Sequence, residues 1–312
     1  MSVRHSREHV EAWTQEGGVL IDRFFTPDEV AAVRADFEAV FGTKSKSETA
    51  ATSTKGDKIG TFDLAQFTGL QPIPFDCSPA LNLIGVHPAL INLAKDFLRT
   101  DAVHLYQCQA WAKFTGDADY DQPFHCDFVN HTLTVPSEQA HMKCVTIICY
   151  FTDVTEAHGP THYVPKSRAA PIAAPEDTLS LGSSDQAEMQ SALKEVAASA
   201  ASPAGSILPY SIDVYHRGTN MTAPDGCRYA VMACFKRAGD ENIAFHAWAN
   251  DIQKPWNKIF DHASPEQLAC FGVPLPGHAF WSETTLKRAQ LRYPGWNLTP
   301  YRDALVSEQT PA

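Results

Sequence analysis

Residues 123–128 read Pro-Phe-His-Cys-Asp-Phe, which sets a histidine and a carboxylate one residue apart. Successive side chains of an extended strand point to opposite faces, so His125 and Asp127 would project together and Cys126 away from them. Pro123 is tolerated at a strand start, and Phe124 and Phe128 suit a pleated surface. On its own the pair is common, and a satisfied polar pair is its bland explanation. The stretch YHRGTNMTAPDGCRYAVMACFKR adds weight, because His216 ends one strand-like run and Arg228 begins the next, twelve positions later. Two histidines and one carboxylate on one face hold Fe(II) and leave three coordination positions open. A 2-oxo acid can fill two of these and molecular oxygen the third. Arg228 would then meet the far carboxylate of a dicarboxylate with two parallel charged hydrogen bonds.

The runs around these residues must position them. VHLYQCQAWAKF (103–114), CVTIICYFTDV (144–154), THYVPKS (161–167), GSILPYSIDVYH (205–216) and CRYAVMACFKR (227–237) are strand-like and separated by turn residues. Serial short strands of this kind predict a sandwich or barrel. Residues 5–16, 27–41 and 87–98 are expected as helices, the second opened by Thr26-Pro27-Asp28-Glu29, and GGVLIDRFF as a short strand between the first two. The stretch 44–60, almost free of apolar bulk, reads as a mobile loop. The Ala-, Ser- and Glu-rich stretch 170–203 reads as an insert with a helix around QAEMQSALKEVAASA. Both are expected to contribute to a lid over the metal mouth. The expected organisation is one domain over 1–312: a helical flank (1–102), a β core (103–237) carrying the 170–203 insert, and an aromatic- and proline-rich wrap (238–312).

The 312 residues are 44% hydrophobic, ample for a core. Against 36 Asp and Glu stand 25 Lys and Arg, a formal charge of −11 that argues against a general nucleic-acid or anionic-membrane binder. The opening MSVRHSREHVEAW lacks an apolar signal core, and no later run approaches the roughly 18 apolar residues of a membrane span, so a cytoplasmic protein is expected. Eight cysteines without a Cys-x-x-Cys pair read as reduced core residues, not a zinc knuckle or disulfide frame.

Taken together, these segments resemble the phytanoyl-CoA dioxygenase family of Fe(II)/2-oxoglutarate oxygenases over nearly the whole chain. GGVLIDRFFTPDEVAAVRADF resembles the family's opening strand and helix, and QAWAKF precedes His125-Cys126-Asp127. FTDVTEAHGPTHYVPKSR resembles the stretch after the third core strand, and His216 with Arg228 has the family spacing. The resemblance implies a mainly β fold with flanking helices, a double-stranded β-helix (jelly-roll, cupin-like) barrel. It implies His125, Asp127 and His216 as iron ligands of the catalytic centre, Arg228 as the anchor of the 2-oxoglutarate C5 carboxylate, and Gln109 as a further co-substrate contact. Fe(II), 2-oxoglutarate and O2 follow as metal and co-substrates, with succinate and CO2 released as a small organic molecule is hydroxylated. Halogenating relatives lack the ligand carboxylate, so the retained Asp127 implies oxygenation. One departure is the third core strand, VTIICYF, where many relatives carry a pocket-lining Trp.

Other candidates have plainer explanations. Asp213 is expected to form or cap a loop, and Lys113, Lys143 and Lys166 to make a solvated rim. His131, His158 and His162 are expected as satisfied polar residues, and Trp248, Trp256, Trp281, Trp296, Tyr293 and Tyr301 as packing. A competing function is a cupin-like hydrolase or isomerase using the same ligands with zinc or manganese, which has no need of Arg228. A ligand-binding barrel without catalysis is the third reading, and the intact His-x-Asp, His and Arg set counts against it. The expected partner is a small-molecule substrate, not nucleic acid or membrane. Nothing in the sequence fixes the oligomeric state.

Overall fold

The structure, a computed structural model, describes residues 3–44, 69–116, 121–132, 136–175, 177, 183–240, 243 and 254–309. The loop expected over 44–60 lies outside these from residue 45, as does Trp248.

Helices α1 (Arg7–Glu16) and α2 (Pro27–Phe41) form where the capping residues place them. The Thr26 hydroxyl accepts from the Glu29 N–H (3.3 Å) and the Glu29 carboxylate accepts from the Thr26 N–H (2.8 Å), a reciprocal box reinforced by Pro27 at the first helical position. Between them, GGVLIDRFF makes no regular strand but runs beside Ile207–Ser211, with the Val19 and Ile21 N–H groups donated to the Pro209 and Ile207 carbonyls. A short strand β1 (Leu70–Pro72) is followed by α3 (Pro79–Ile84) and α4 (Pro88–Leu98), whose apolar spacing buries Leu90, Leu93, Ala94 and Phe97.

The strands are β2 (Val103–Phe114), β3 (Val145–Tyr150), β4 (Thr161–Tyr163), β5 (Ala198–Ser199), β6 (Ile207–Ser211), β7 (His216–Gly218) and β8 (Cys227–Arg237). They make two antiparallel sheets, one ordered β1-β2-β8-β3-β6 and one ordered β5-β4-β7, and no pairing among the described residues closes them into a barrel. The run expected as a single strand over 205–216 therefore splits: the turn 212–215 carries the chain from the larger sheet to the smaller one.

Each face of the larger sheet has its own task. Cys108, Ala110, Ala112, Val145, Ile147, Val231 and Ala233 join α2 and α4 in the principal core, where Phe37 stacks on Tyr229 at 4.9 Å. A bulge in β2 sets what points the other way. Leu105 pairs with Phe235 but Gln107 with Cys234, so Tyr106 is the extra residue. Because strand side chains alternate, this one-residue insertion sends Gln107, Gln109, Trp111 and Lys113 away from the helices. An unbroken register would have given them Leu105's orientation.

Helix α5 (Phe128–His131) follows the His-x-Asp motif, α6 (Lys166–Ala169) leads into the insert, and α7 (Ser183–Val196) lies within it. After β8, α8 (Asn257–Phe260), α9 (Pro265–Ala269), α10 (Glu283–Arg292) and α11 (Thr299–Gln309) complete the chain. Trp256, Trp281, Trp296 and Tyr301 bury themselves in the principal core, and Phe260 stacks on Tyr293 at 3.9 Å, so these five of the aromatic candidates are packing. No helix among the described residues is long and apolar enough to cross a membrane.

Candidate active site

His125 is not on a regular strand. It forms an isolated bridge with His216, each residue donating its N–H to the other's carbonyl at 3.0 Å. The chain then turns, and Asp127 (φ −72°, ψ −12°) is the residue from which α5 starts. The expectation of two strand neighbours sharing a face therefore fails at Asp127, whose helical backbone angles end the extended run. The side chains nevertheless converge, because bridge and turn bend the carboxylate back over the imidazoles. Cys126 faces away, 1% exposed in a separate apolar cluster with Phe124 and Phe128.

One ligand atom from each of His125, Asp127 and His216 lies within 4.8 Å of the others. Asp127 Oδ1 stands 3.7 Å from His125 Nε2 and 3.5 Å from His216 Nε2. In both histidines Nδ1 contacts a main-chain carbonyl two residues earlier, Pro123 at 2.9 Å and Val214 at 3.0 Å. A carbonyl only accepts, so each Nδ1 carries the proton and each Nε2 keeps its lone pair for the centre of the trio. Burial, and then the neighbouring His216, push the His125 imidazole down to about 4. Burial works against charge on Asp127 too, yet His216 beside it holds the carboxyl well below its usual range, and Asp127 in turn raises His216. A carboxylate and two neutral imidazole nitrogens suit a divalent transition metal, so the donor set fits the expected iron.

The trio opens on a cavity of about 510 Å³ between the two sheets. Arg228 and Gln109 line it, as do Trp111, His131, Ile148 and Tyr210. Arg228 is 3% exposed, with its guanidinium 5.1 Å from the centre of the Trp111 ring. The Gln109 carbonyl accepts from Gln107 Nε2 at 2.7 Å, which leaves the Gln109 amide nitrogen as its donor. On β3, Ile148 stands toward the cavity, and the aromatic wall comes from Trp111 on β2 instead.

Several residues differ from expectation. Lys113 and Lys143 are not a solvated rim but are 2% and 4% exposed. Lys143 and Lys166 both donate to Asp213 Oδ2, and the Ser211 hydroxyl donates to Asp213 Oδ1 at 2.6 Å. Asp213 is thus a buried ionic post under the turn that delivers His216, and its two cations hold it below the usual carboxylate range against the effect of burial. His131 joins the cavity wall, its Nδ1 2.5 Å from the buried Tyr106 hydroxyl, whereas His162 pairs with Glu156 and His158 with Thr155. The described part of the insert backs the motif instead of covering the cavity. From α7, the Gln190 amide accepts from the Phe124 N–H (2.6 Å) and donates to the Phe124 carbonyl (2.9 Å). Sequence reasoning missed Trp111, Tyr106, Gln190 and Tyr210. Only the alternation of QCQAWAK, once the bulge is known, could have pointed to Trp111.

The chain is 26% identical over 166 residues to the ectoine dioxygenases of Bordetella parapertussis and Bordetella bronchiseptica, an alignment covering 52% of this chain and 49% of each relative. The chain thus spans about half the length of the curated relatives it matches. Among solved structures, the non-heme alpha ketoglutarate dependent carbocyclase SnoK from nogalamycin biosynthesis superposes with a TM-score of 0.52 at 18% identity, covering 78% of this chain and 88% of that one. EctD from S. alaskensis, in its apoform, gives 0.52 at 15% identity, covering 77% and 79%. At such identities the likeness is one of fold. The sequence profile of phytanoyl-CoA dioxygenase (PhyH) matches residues 13–228, a span that runs from α1 through all three converging donors to Arg228, and the chain belongs to that family.

Proposed function

We propose that this protein is an Fe(II)- and 2-oxoglutarate-dependent dioxygenase that hydroxylates a small organic molecule, with release of succinate and CO2. The observation that carries the reading is the convergence of His125, Asp127 and His216 on the same cavity that Arg228 lines. We assign these three as the metal ligands and the two sheets as the halves of a double-stranded β-helix. Iron held there supplies the oxidising chemistry with O2 once 2-oxoglutarate is bound.

The chain's own residues do the rest. Their Nδ1 hydrogen bonds keep His125 and His216 in the tautomer that offers Nε2. In our assignment Arg228, braced by Trp111, clamps the far carboxylate of 2-oxoglutarate, and the Gln109 amide donates to the same co-substrate. Three protein donors leave coordination positions for co-substrate and oxygen, and Asp127 occupies the place a halide would need. The eight cysteines, none of which forms a disulfide, fit a reducing, cytoplasmic setting. We take the substrate to be a small molecule, as the name of the ectoine dioxygenases indicates for those relatives.

The test is an anaerobic titration with Fe(II) and then 2-oxoglutarate, followed by a metabolite screen for stimulated succinate release. Binding of 2-oxoglutarate that requires the metal, and is lost in His216→Ala, is the expected result. Metal-dependent hydrolysis or isomerisation with no use of 2-oxoglutarate would overturn the reading.

A further inference from the structure

We propose that Tyr210 is a positioning residue for the metal-binding carboxylate: its hydroxyl occupies Asp127 Oδ2 and so presents Oδ1 alone to the metal. The inference rests on the assignment of His125, Asp127 and His216 as ligands.

Tyr210 belongs to β6 of the larger sheet, whereas His216 opens β7 of the smaller one. Its side chain is the strut between them. The hydroxyl donates to Asp127 Oδ2 at 3.0 Å, and the ring lies against the His216 imidazole with centroids 4.4 Å apart and planes tilted by 43°. One residue therefore touches two of the three ligands. Tyr210 is 1% exposed, and the only role its hydroxyl takes toward Asp127 in this geometry is that of hydrogen-bond donor to a carboxylate oxygen. It serves as a donor to the carboxylate and is not one of the three converging ligand groups.

A carboxylate offers two equivalent oxygens and can bind a cation through one or both. Binding through both would consume a position that co-substrate or oxygen needs in a three-ligand site. The Tyr210 bond removes the equivalence. With Oδ2 engaged, Oδ1 is the oxygen left facing the imidazole nitrogens, at 3.7 and 3.5 Å. A purely architectural account, in which a buried hydroxyl simply finds an acceptor, predicts effects on the fold and none on ligand binding.

Tyr210→Phe keeps the ring and its contact with His216 while removing the hydroxyl. Chelator-stripped wild type and variant are titrated with Co(II) as an air-stable probe, and the loaded proteins then with 2-oxoglutarate, by calorimetry. The variant is expected to bind Co(II) about 10- to 100-fold more weakly, the usual loss when a ligand's outer partner is removed. Its affinity for 2-oxoglutarate should fall as well. In the Asp127→Ala background the same substitution should leave Co(II) affinity unchanged, because Tyr210 acts through that carboxylate. Tyr210→His, which restores a ring donor, should recover part of the loss. Unchanged Co(II) and 2-oxoglutarate affinities in Tyr210→Phe overturn the proposal, and a lower apo melting temperature beside them assigns Tyr210 to the fold alone. A wild type that binds no Co(II) overturns the metal assignment itself, and this inference with it.

Discussion

Replacing Asp213 by alanine should destabilise the protein more than any single surface change. The carboxylate side chain is 8% exposed and accepts from the equally buried Lys143 ammonium, from Lys166 at 2.7 Å and from the Ser211 hydroxyl at 2.6 Å. Its removal leaves the Lys143 ammonium buried without its counter-charge. Breaking a buried pair in this way costs about 3–5 kcal/mol. At about 2 °C per kcal/mol, the low end suited to a chain of this length, melting should fall by roughly 6–10 °C. The sign with pH differs between the proteins. In the wild type the Asp213 carboxyl is held down, so its contribution is complete at neutral pH and fades only as pH falls through its lowered folded value. Lys143 titrates below the usual lysine range, chiefly through burial. In Asp213→Ala stability should therefore rise as alkali removes the Lys143 proton. Asp213→Leu combined with Lys143→Met should recover most of the loss, since an apolar pair of similar volume replaces a buried ion pair well. Urea and thermal unfolding at neutral and alkaline pH measure all three proteins. A single Ala variant within about 1 kcal/mol of wild type, or a double variant no better than the single, would refute the account of Asp213 as an ionic post.

Arg228→Lys keeps the charge but loses the planar fork and the stacking on Trp111, so the KM for 2-oxoglutarate should rise at least about tenfold, or about 1.4 kcal/mol. Steady-state succinate release checks this, and an unchanged constant would point to another cation. Glu29 is drawn from the ordinary 4.5 down to about 2, chiefly by its hydrogen bond from Arg4, with burial opposing. Both side chains are partly exposed, so screening reduces the contribution to about 1 kcal/mol, present above pH 4.5 and lost as acid takes the medium from there toward pH 2. Glu29→Gln should flatten that part of the stability-versus-pH curve. Once a substrate is found, product mass under labelled oxygen gas should show one label incorporated by the wild type and no halogenated product with chloride present. Asp127→Ala should abolish turnover.

Helix starts were legible because their causes are local: Thr26, Pro27 and Glu29 fix the start of α2 within four residues, and the reciprocal box forms as expected. The long strands β2 and β8 were equally readable as strand-like runs bounded by turn residues. The three converging donors and Arg228 were visible as residue types and spacing, but not the reason they meet. The histidines meet through the bridge between His125 and His216, and Gln109 and Trp111 join the cavity through the Tyr106 bulge, both set by pairing partners more than ninety residues away in the chain. Long-range pairing also decided the split of 205–216 between two sheets. Lys143 misled for a related reason: a lysine reads as solvated until the fold supplies Asp213 beneath it, seventy residues on. Tyr210 carried no motif at all, since its role exists only where two sheets face each other.

The paired main-chain bonds between His125 and His216 bear on which metal the protein carries. The two imidazoles are brought together by backbone geometry, with both tautomers set by carbonyls, before any ion arrives. Manganese, cobalt, nickel, zinc and iron would all meet the same two nitrogens, and raw affinity would follow the general order of these ions. Selection of iron then cannot come from a histidine pair that adapts to one ion and resists another. It falls to the carboxylate side of the trio, to the co-substrate that completes the sphere, and to the supply of each metal in the compartment where the chain folds.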